Sequence, residues 1–221
     1  MGFDFPRPTD GTSSFSDLVG TFNQLGAAAA YNDIANCSSN LLELPDLRYV
    51  SNPVERAKAI INFQVDAITV IVLGDVQDSL LENSVRSLIS QSLGDFHEDV
   101  DIKERYASAI EAGFGTPQWE DTPTLFDYLK FTEKWLSDHM AANADTASVS
   151  IREAAGQILE QLRGALRSRL GQAIGRPSSF KSDVALLIFA LRGLSNNNEA
   201  APLALSAYSA LLRRAVESEN R

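Results

Sequence analysis

The chain has 221 residues and very few of the side chains from which disulfide-rich or thiolate-metal folds are built. It contains one cysteine, Cys37, and two histidines. A single cysteine excludes an internal disulfide framework and any zinc site that needs several thiolates. It also suits a reducing compartment, so we expect a reduced thiol and a cytoplasmic protein.

Long apolar runs are missing as well. The strongest one, Ala67 to Leu73, lies between Asp66 and Asp75 and is far shorter than the roughly 20 apolar residues that a membrane-spanning helix needs. The first residues have neither the basic nor the apolar region of a secretion signal. We therefore expect a protein without a membrane span or an export signal.

Enzyme signatures are also absent. No GxxxxGK[ST] phosphate-binding loop, HExxH or GxSxG string occurs in the sequence, and these strings supply the phosphate cradle, the metal ligands or the nucleophile in their families. Ser178 to Lys181 fits the loose SxxK pattern, but its companion SDN and KTG strings are missing. The sequence predicts no catalytic residues and no cofactor.

One segment suggests metal ligands, because acids and a histidine alternate over residues 95–101 (Asp95, His97, Asp99 and Asp101). A calcium loop that began at Asp95 would need Gly at its sixth position and Glu at its twelfth, where the chain has Val100 and Tyr106. Carboxylates are favoured at helix N-termini in any case. We interpret the segment as an acidic lead into a capped helix and predict no metal site.

Basic residues are in the minority and unevenly placed. There are 19 Lys and Arg against 29 Asp and Glu, a net charge of −10, which argues against a protein that works mainly by neutralising nucleic acid or anionic lipid. Residues 1–145 hold 23 of the acids and 9 of the bases, and residues 146–221 hold 6 acids and 10 bases. The asymmetry indicates either an acidic part folded against a basic one or two surfaces with different partners.

The basic part contains a stretch without acids over residues 161–182; its bases are Arg163, Arg167, Arg169, Arg176 and Lys181. Arg163 and Arg167 are one helical turn apart and share a flank. A solvated helix face is one interpretation. The other is a contact with an acidic protein surface, because guanidinium groups pair with carboxylates in a fixed fork. Arg163, Arg167, Arg169 and Arg176 are the candidate partner-binding residues.

Helical periodicity dominates the middle of the chain. Apolar residues recur at three and four residues, which predicts helices over 53–73, 76–93, 101–112, 124–139 and 150–174. Gly74, Gly94 and Gly113 are expected to end the first three. Residues 141–148 are predicted to be a linker, and the segment 150–174 has the clearest apolar stripe.

The flanking regions have an α/β pattern. Strands are predicted near Phe3 to Phe5, over Ala27 to Ile34 and over Val184 to Leu191, with helices ending at Leu25 and covering 199–219. The predicted fold class is mainly α with a small α/β portion. Its parts are a strand-helix-strand portion (1–50), a helical subdomain (51–175) and a strand-helix return to the α/β part (176–221).

Four strings in this order resemble the conjugative-transfer ATPases of type IV secretion, the TraC-like motors of the VirB class. They are FDFPR with Asp4, SSNLLELPDL (38–47), TPTLFDYLKF (122–131) and VALLIFALRGLS (184–195). The resemblance implies a helical subdomain inserted in a RecA-like nucleotide-binding core, of which this chain holds only fragments. Neither the phosphate-binding loop nor the acidic nucleotide-binding strand of that family occurs here.

The resemblance implies a non-catalytic, mostly helical fragment of a motor ATPase that contacts other subunits or partner proteins, with nucleic acid not expected as a partner. The alternative is a free-standing soluble interaction module with no link to nucleotide hydrolysis. An acidic nucleotide-binding strand and a GxxxxGK[ST] loop elsewhere in the reading frame would discriminate between the two.

Overall fold

The computed structural model describes residues 29–33, 37–48, 51–74, 76, 78–180, 186–190 and 211, with the backbone alone for 29–33, 169–170 and 186–190. The described strands are β1 (Ala29–Asp33) and β2 (Leu186–Ala190). The described helices are α1 (Pro53–Leu73), α2 (Ser79–Glu98), α3 (Val100–Ala112), α4 (Pro117–Glu120), α5 (Leu125–Ala142), α6 (Val149–Arg167) and α7 (Arg169–Ile174). The mainly helical fold predicted from the sequence is confirmed.

Helix α1 begins and ends as the sequence predicts. Asn52 adopts a left-handed conformation with φ of 60°, which Asn tolerates better than most residues, and Pro53 supplies the fixed φ of the first helical position. The helix ends before Gly74, because the φ of this residue, 55°, is not a helical value. The Gly74 N–H donates to the Val70 carbonyl at 2.9 Å. The β-branched run at its end is therefore helical, as predicted.

Helix α2 is longer than predicted. The Asp78 side chain caps it by accepting hydrogen bonds from the Leu80 and Leu81 amides at 2.9 and 3.1 Å. The prediction that Gly94 ends the helix is wrong, because the helix continues to Glu98. A glycine inside a helix costs about 1 kcal/mol, and burial of Phe96, which has no exposed surface, outweighs that cost.

Helices α3 and α5 have side-chain caps. Asp99 caps α3 by accepting from the Ile102 amide, so the helix begins at Val100, one residue before the predicted start. Thr124 and Asp127 form a capping box at the start of α5, which binds the two free amides of the first turn. The one-turn helix α4 lies between them and was not predicted.

The long helix predicted over 150–174 is broken at Ser168 into α6 and α7. At this break Gly171 lies directly against the backbone of Leu166, so closely that a Cβ there would be 2.3 Å from the Leu166 carbonyl oxygen. The apolar period of four residues continues across the break because both pieces pack on the same core. Periodicity therefore did not show the bend.

Helices α1, α2, α5 and α6 form a bundle, with α2 and α6 in extensive contact. Edge-to-face aromatic contacts join α2 to α5, where the Phe96 ring lies 5.5 Å from the rings of Tyr128 and Phe131. The largest fully buried side chains are Tyr128, Phe96, Leu41, Leu42, Ile68, Ile89, Leu93, Leu125, Ile158 and Leu162. The part of the predicted apolar stripe that lies within α6 is in the core; its residues are Ile158, Leu162 and Leu166.

Strands β1 and β2 pair in parallel, with Ala29 opposite Leu186 and Asp33 opposite Ala190. Both lie within the ranges predicted for strands. Adjacent parallel strands need a crossover connection. Here that connection contains all the helices α1 to α7, which we call the helical body. The strand predicted near Phe3 and the helix predicted to end at Leu25 lie outside the described residues. Most of the predicted helix 199–219 also lies outside them. Its residue Leu211 is described; it is helical and packs on the core.

We expect Gly171→Ala to destabilise the protein by about 2 kcal/mol or more, because the new methyl group overlaps backbone that cannot move aside. Gly164→Ala is the matched control, since nothing lies within 4 Å of a Cβ at Gly164; it should be neutral or stabilising by up to about 1 kcal/mol. Urea unfolding of both variants measures the difference. Equal effects would show that the α6–α7 bend does not depend on Gly171.

Candidate functional site

The four candidate arginines lie at one end of α6 and just beyond it. Arg163 is on α6, where it makes an ion pair with Glu133 of α5 at 2.8 Å. Arg167 is the exposed last residue of α6, and Arg169 is the first residue of α7. Arg176 is exposed in the turn after α7. Three of the four are therefore described with their side chains on the surface.

Two lysines that the sequence analysis overlooked extend this surface. Lys130 and Lys134 are exposed on α5, and α5 packs beside α6. Their spacing of four residues places them on one side of the helix. They were missed because acids lie near them in the sequence, and only the Arg163–Glu133 contact across the two helices places this part of α5 beside the arginines of α6.

The described basic residues of this surface are exposed and can hold an anionic group. Exposed ion pairs each contribute only about 0.2–1 kcal/mol, so the set would act through its summed charge and geometry. The aliphatic parts of these side chains are little buried, because the residues are exposed. This surface fits a macromolecular contact better than a small-molecule pocket.

A second feature, which we call the neck, consists of residues 38–43 and 173–179. The backbone amides of Ser39 and Leu41 donate to the carbonyls of Ala173 and Ile174 at 2.7 and 3.0 Å, and Ser179 N–H donates to the Ser38 carbonyl at 3.0 Å. Ala173 and Ile174 are the last residues of α7, so the first segment binds the end of this helix, although 141 positions separate Ser38 from Ser179. The helical body thus starts and ends at one place.

Buried polar side chains reinforce the neck. Asn40 has no exposed surface; its side-chain amide donates to the Pro123 carbonyl at 2.8 Å, and its own N–H donates to Ser178 Oγ at 3.0 Å. Ser178 Oγ in turn donates to the buried carboxylate of Glu43. Trp119 Nε1 donates to the Ser178 carbonyl at 3.1 Å. Ser178 and Glu43 are 2% and 5% exposed, so little of either side chain is accessible to solvent.

Ser178→Ala should lower the free energy of unfolding by about 1–3 kcal/mol, because it removes the hydroxyl partner of the Glu43 carboxylate and of the Asn40 amide within the core. Ser84→Ala is the matched control: Ser84 Oγ also donates one hydrogen bond, to the Leu80 carbonyl, but it is exposed to solvent, and water replaces the lost partner. Chemical unfolding compares them. A loss as large for Ser84→Ala would contradict the special role of the neck.

The acid and histidine residues of 95–101 separate into different roles instead of gathering around an ion. Asp95 accepts a hydrogen bond from Trp135 Nε1 at 2.7 Å, and Asp99 caps α3. His97 is buried. Within the described residues no group of three or more metal-ligating side chains is close enough to hold an ion.

Asp101 lines an open groove of about 630 Å³ between α3 and α4. The groove also contains Arg105, whose guanidinium donates to the Asp121 carbonyl at 3.0 Å and to Asp127 at 2.9 Å. Burial opposes ionisation of Asp127, but hydrogen bonds from Arg105 and Thr124 hold the pKa of this carboxyl below its usual value. Arg105 is thus paired with groups of the protein itself, so the other charged side chains that line the groove are acidic.

His97 lies in a buried polar pair with Gln64 of α1. Its Nε2 is 2.8 Å from Gln64 Oε1, while His97 Nδ1 and Gln64 Nε2 have no hydrogen-bond partner among the described residues. Burial lowers the pKa of His97 to about 4, and the nearby Glu98 charge only partly opposes this. The neutral imidazole packs 5.6 Å from the rings of Phe96 and Tyr106.

This pair predicts a dependence of stability on pH. In the unfolded chain the pKa of His97 is near 6.5, whereas in the folded protein it is about 4. The unfolded state is therefore favoured as the pH falls through this window, and stability should drop by about 2 kcal/mol between pH 7 and pH 5. His97→Gln should lose that part of the slope; an unchanged slope in urea unfolding would show that His97 does not titrate as described.

No helix within the described residues is long and apolar enough to cross a membrane. No protein-family model matches the chain, and no curated protein sequence matches it. Among solved structures, it is similar to VirB4 of Thermoanaerobacter pseudethanolicus, with a TM-score of 0.53 and 15% identity over 92% of this chain and 67% of the VirB4 chain. This supports a distant structural relationship to VirB4, in agreement with the mainly helical fold.

Proposed function

We propose that this chain is a non-catalytic, mostly helical part of a type IV secretion or conjugative-transfer motor ATPase, located in the cytoplasm. In this proposal the helical body is a subdomain inserted into a RecA-like core, and it contacts other motor subunits or partner proteins. The two strands would then belong to that core. The overlap in fold with VirB4 is consistent with such a protein.

The observation that carries the proposal is the topology of the connection between β1 and β2. These strands are adjacent and parallel, yet the chain between them forms a helical body that the neck closes on itself. A subdomain inserted in an existing parallel sheet would have this arrangement, because both of its ends must return to the same pair of strands. A free-standing bundle has no need of ends that meet.

The non-catalytic part of the proposal rests on the chemistry that the chain offers. Phosphoryl transfer requires backbone amides and a lysine around the phosphates together with a bound metal, and the sequence has no such loop. The hydroxyl and carboxylate of the neck, Ser178 and Glu43, are buried. The exposed basic residues on α5 and α6 suit contacts between proteins.

The motor assignment can be tested with the full chain, tagged and cross-linked in cells of its source. Cross-links to subunits of a type IV secretion apparatus are expected, and mass spectrometry would identify them. Cross-links confined to unrelated proteins would favour the free-standing interaction module. A separate calorimetric titration of the purified chain with ATP should give no binding heat, and micromolar binding would refute the non-catalytic assignment.

A further inference from the structure

We propose that one surface of the helical body binds an acidic protein segment that carries an apolar side chain. We call this surface the basic face; it consists of Phe126, Lys130 and Lys134 on α5, Arg163 and Arg167 on α6, and Arg176 after α7. The inference deepens the proposed contact role and rests on it, because it names the surface and the chemistry of the partner.

The basic face is held together by the packing of α5 against α6. The ion pair between Arg163 and Glu133 joins the two helices, with Arg163 Nε donating to Glu133 Oε1 at 3.0 Å. Lys130 is one turn after Phe126 along α5, and Lys134 is one turn further. All three are exposed, and their spacing places them in a row along α5.

Phe126 gives the basic face an apolar centre. Its side chain is exposed, at 46%, although it is an aromatic residue at the start of a well-packed helix. The ring edge lies against Gly175, where a Cβ would be 3.1 Å from Phe126 Cε2, so the ring adjoins the exposed Arg176. An apolar side chain of a partner would cover the remaining ring surface, as aromatic residues do at interfaces.

Four of the five basic residues of the basic face make no ion pair within the described part of the chain. Glu133 is already paired with Arg163, and no described carboxylate forms an ion pair with Lys130, Lys134, Arg167 or Arg176. The exposed Glu160 lies three residues before Arg163 on α6 and borders the face. This leaves a positive surface on a protein of net charge −10, and complementary charge attracts a negative partner at short range.

An acidic protein segment fits this surface better than nucleic acid does. The overall negative charge of the chain repels a long phosphate backbone more than a short acidic segment, because the longer polyanion carries more charge and extends beyond the basic face. Arginine forks and the lysine ammonium groups bind carboxylates, and Phe126 selects for the apolar side chain.

Fluorescence anisotropy with the full 221-residue chain tests this inference. The probe is a short fluorescein-labelled peptide of Asp and Glu around two adjacent leucines, and a second peptide has serines in place of the leucines. Lys134→Glu and Arg167→Glu should each weaken binding of the leucine peptide by about five-fold or more. Lys58→Glu, a reversal of an exposed lysine on α1, should change it by less than about two-fold.

Phe126 is tested by the difference between the peptides. The unmodified chain should prefer the leucine peptide by about five-fold, and Phe126→Ala should remove that preference while far-UV circular dichroism shows an intact fold. If Phe126→Ala fails to fold, Arg176→Gln provides the second variant and should weaken both peptides by about two-fold or more.

Four results would overturn the inference: absence of peptide binding, an equal loss for Lys58→Glu, tighter binding of oligothymidylate than of the leucine peptide, or self-association of the chain that Lys134→Glu and Arg167→Glu abolish. The last would identify a second copy as the occupant. Failure here leaves the motor assignment intact, since cross-linking to secretion subunits does not depend on the basic face.

Discussion

The helical body depends on the hydrogen bonds that join its two ends in the neck. Ser39, Leu41 and Ser179 make backbone bonds across a loop of more than a hundred residues, and closing such a loop costs entropy that grows slowly with its length. Beside them, the hydrogen bonds of Asn40 and Ser178 are buried, and their loss would leave polar groups unpaired in the core. The bundle can pack as one unit because both ends are fixed at the same point.

Local signals in the sequence predicted most of the helices. The apolar period and the proline at position 53 located α1 correctly, and Gly74 ended it as expected. Gly94 did not end α2, because tertiary burial of Phe96 outweighed the local cost of glycine. The α6–α7 bend was hidden for a similar reason: the stripe of apolar residues continues while the backbone turns at Ser168.

The functional surfaces were harder to predict because they depend on contacts between distant residues. The search for runs of like charge found the arginines but omitted Lys130 and Lys134, which join them only through the packing of α5 on α6. The neck has no local signature, since Asn40 and Ser178 are ordinary loop residues until the chain brings them together. The different contacts of Asp95 and His97 were not predictable either, because they depend on Trp135 of α5 and Gln64 of α1.

The neck also determines how movement would pass through the molecule. Asn40 links it to Pro123 at the base of α5, and Trp119 links α4 to it through Ser178. Helix α5 has 18 residues and is about 27 Å long. A tilt of about 10° at its base would therefore shift its far end by about 5 Å. If a rearrangement of β1 and β2 tilted the helices in this way, the displacement would be largest at the turn between α5 and α6.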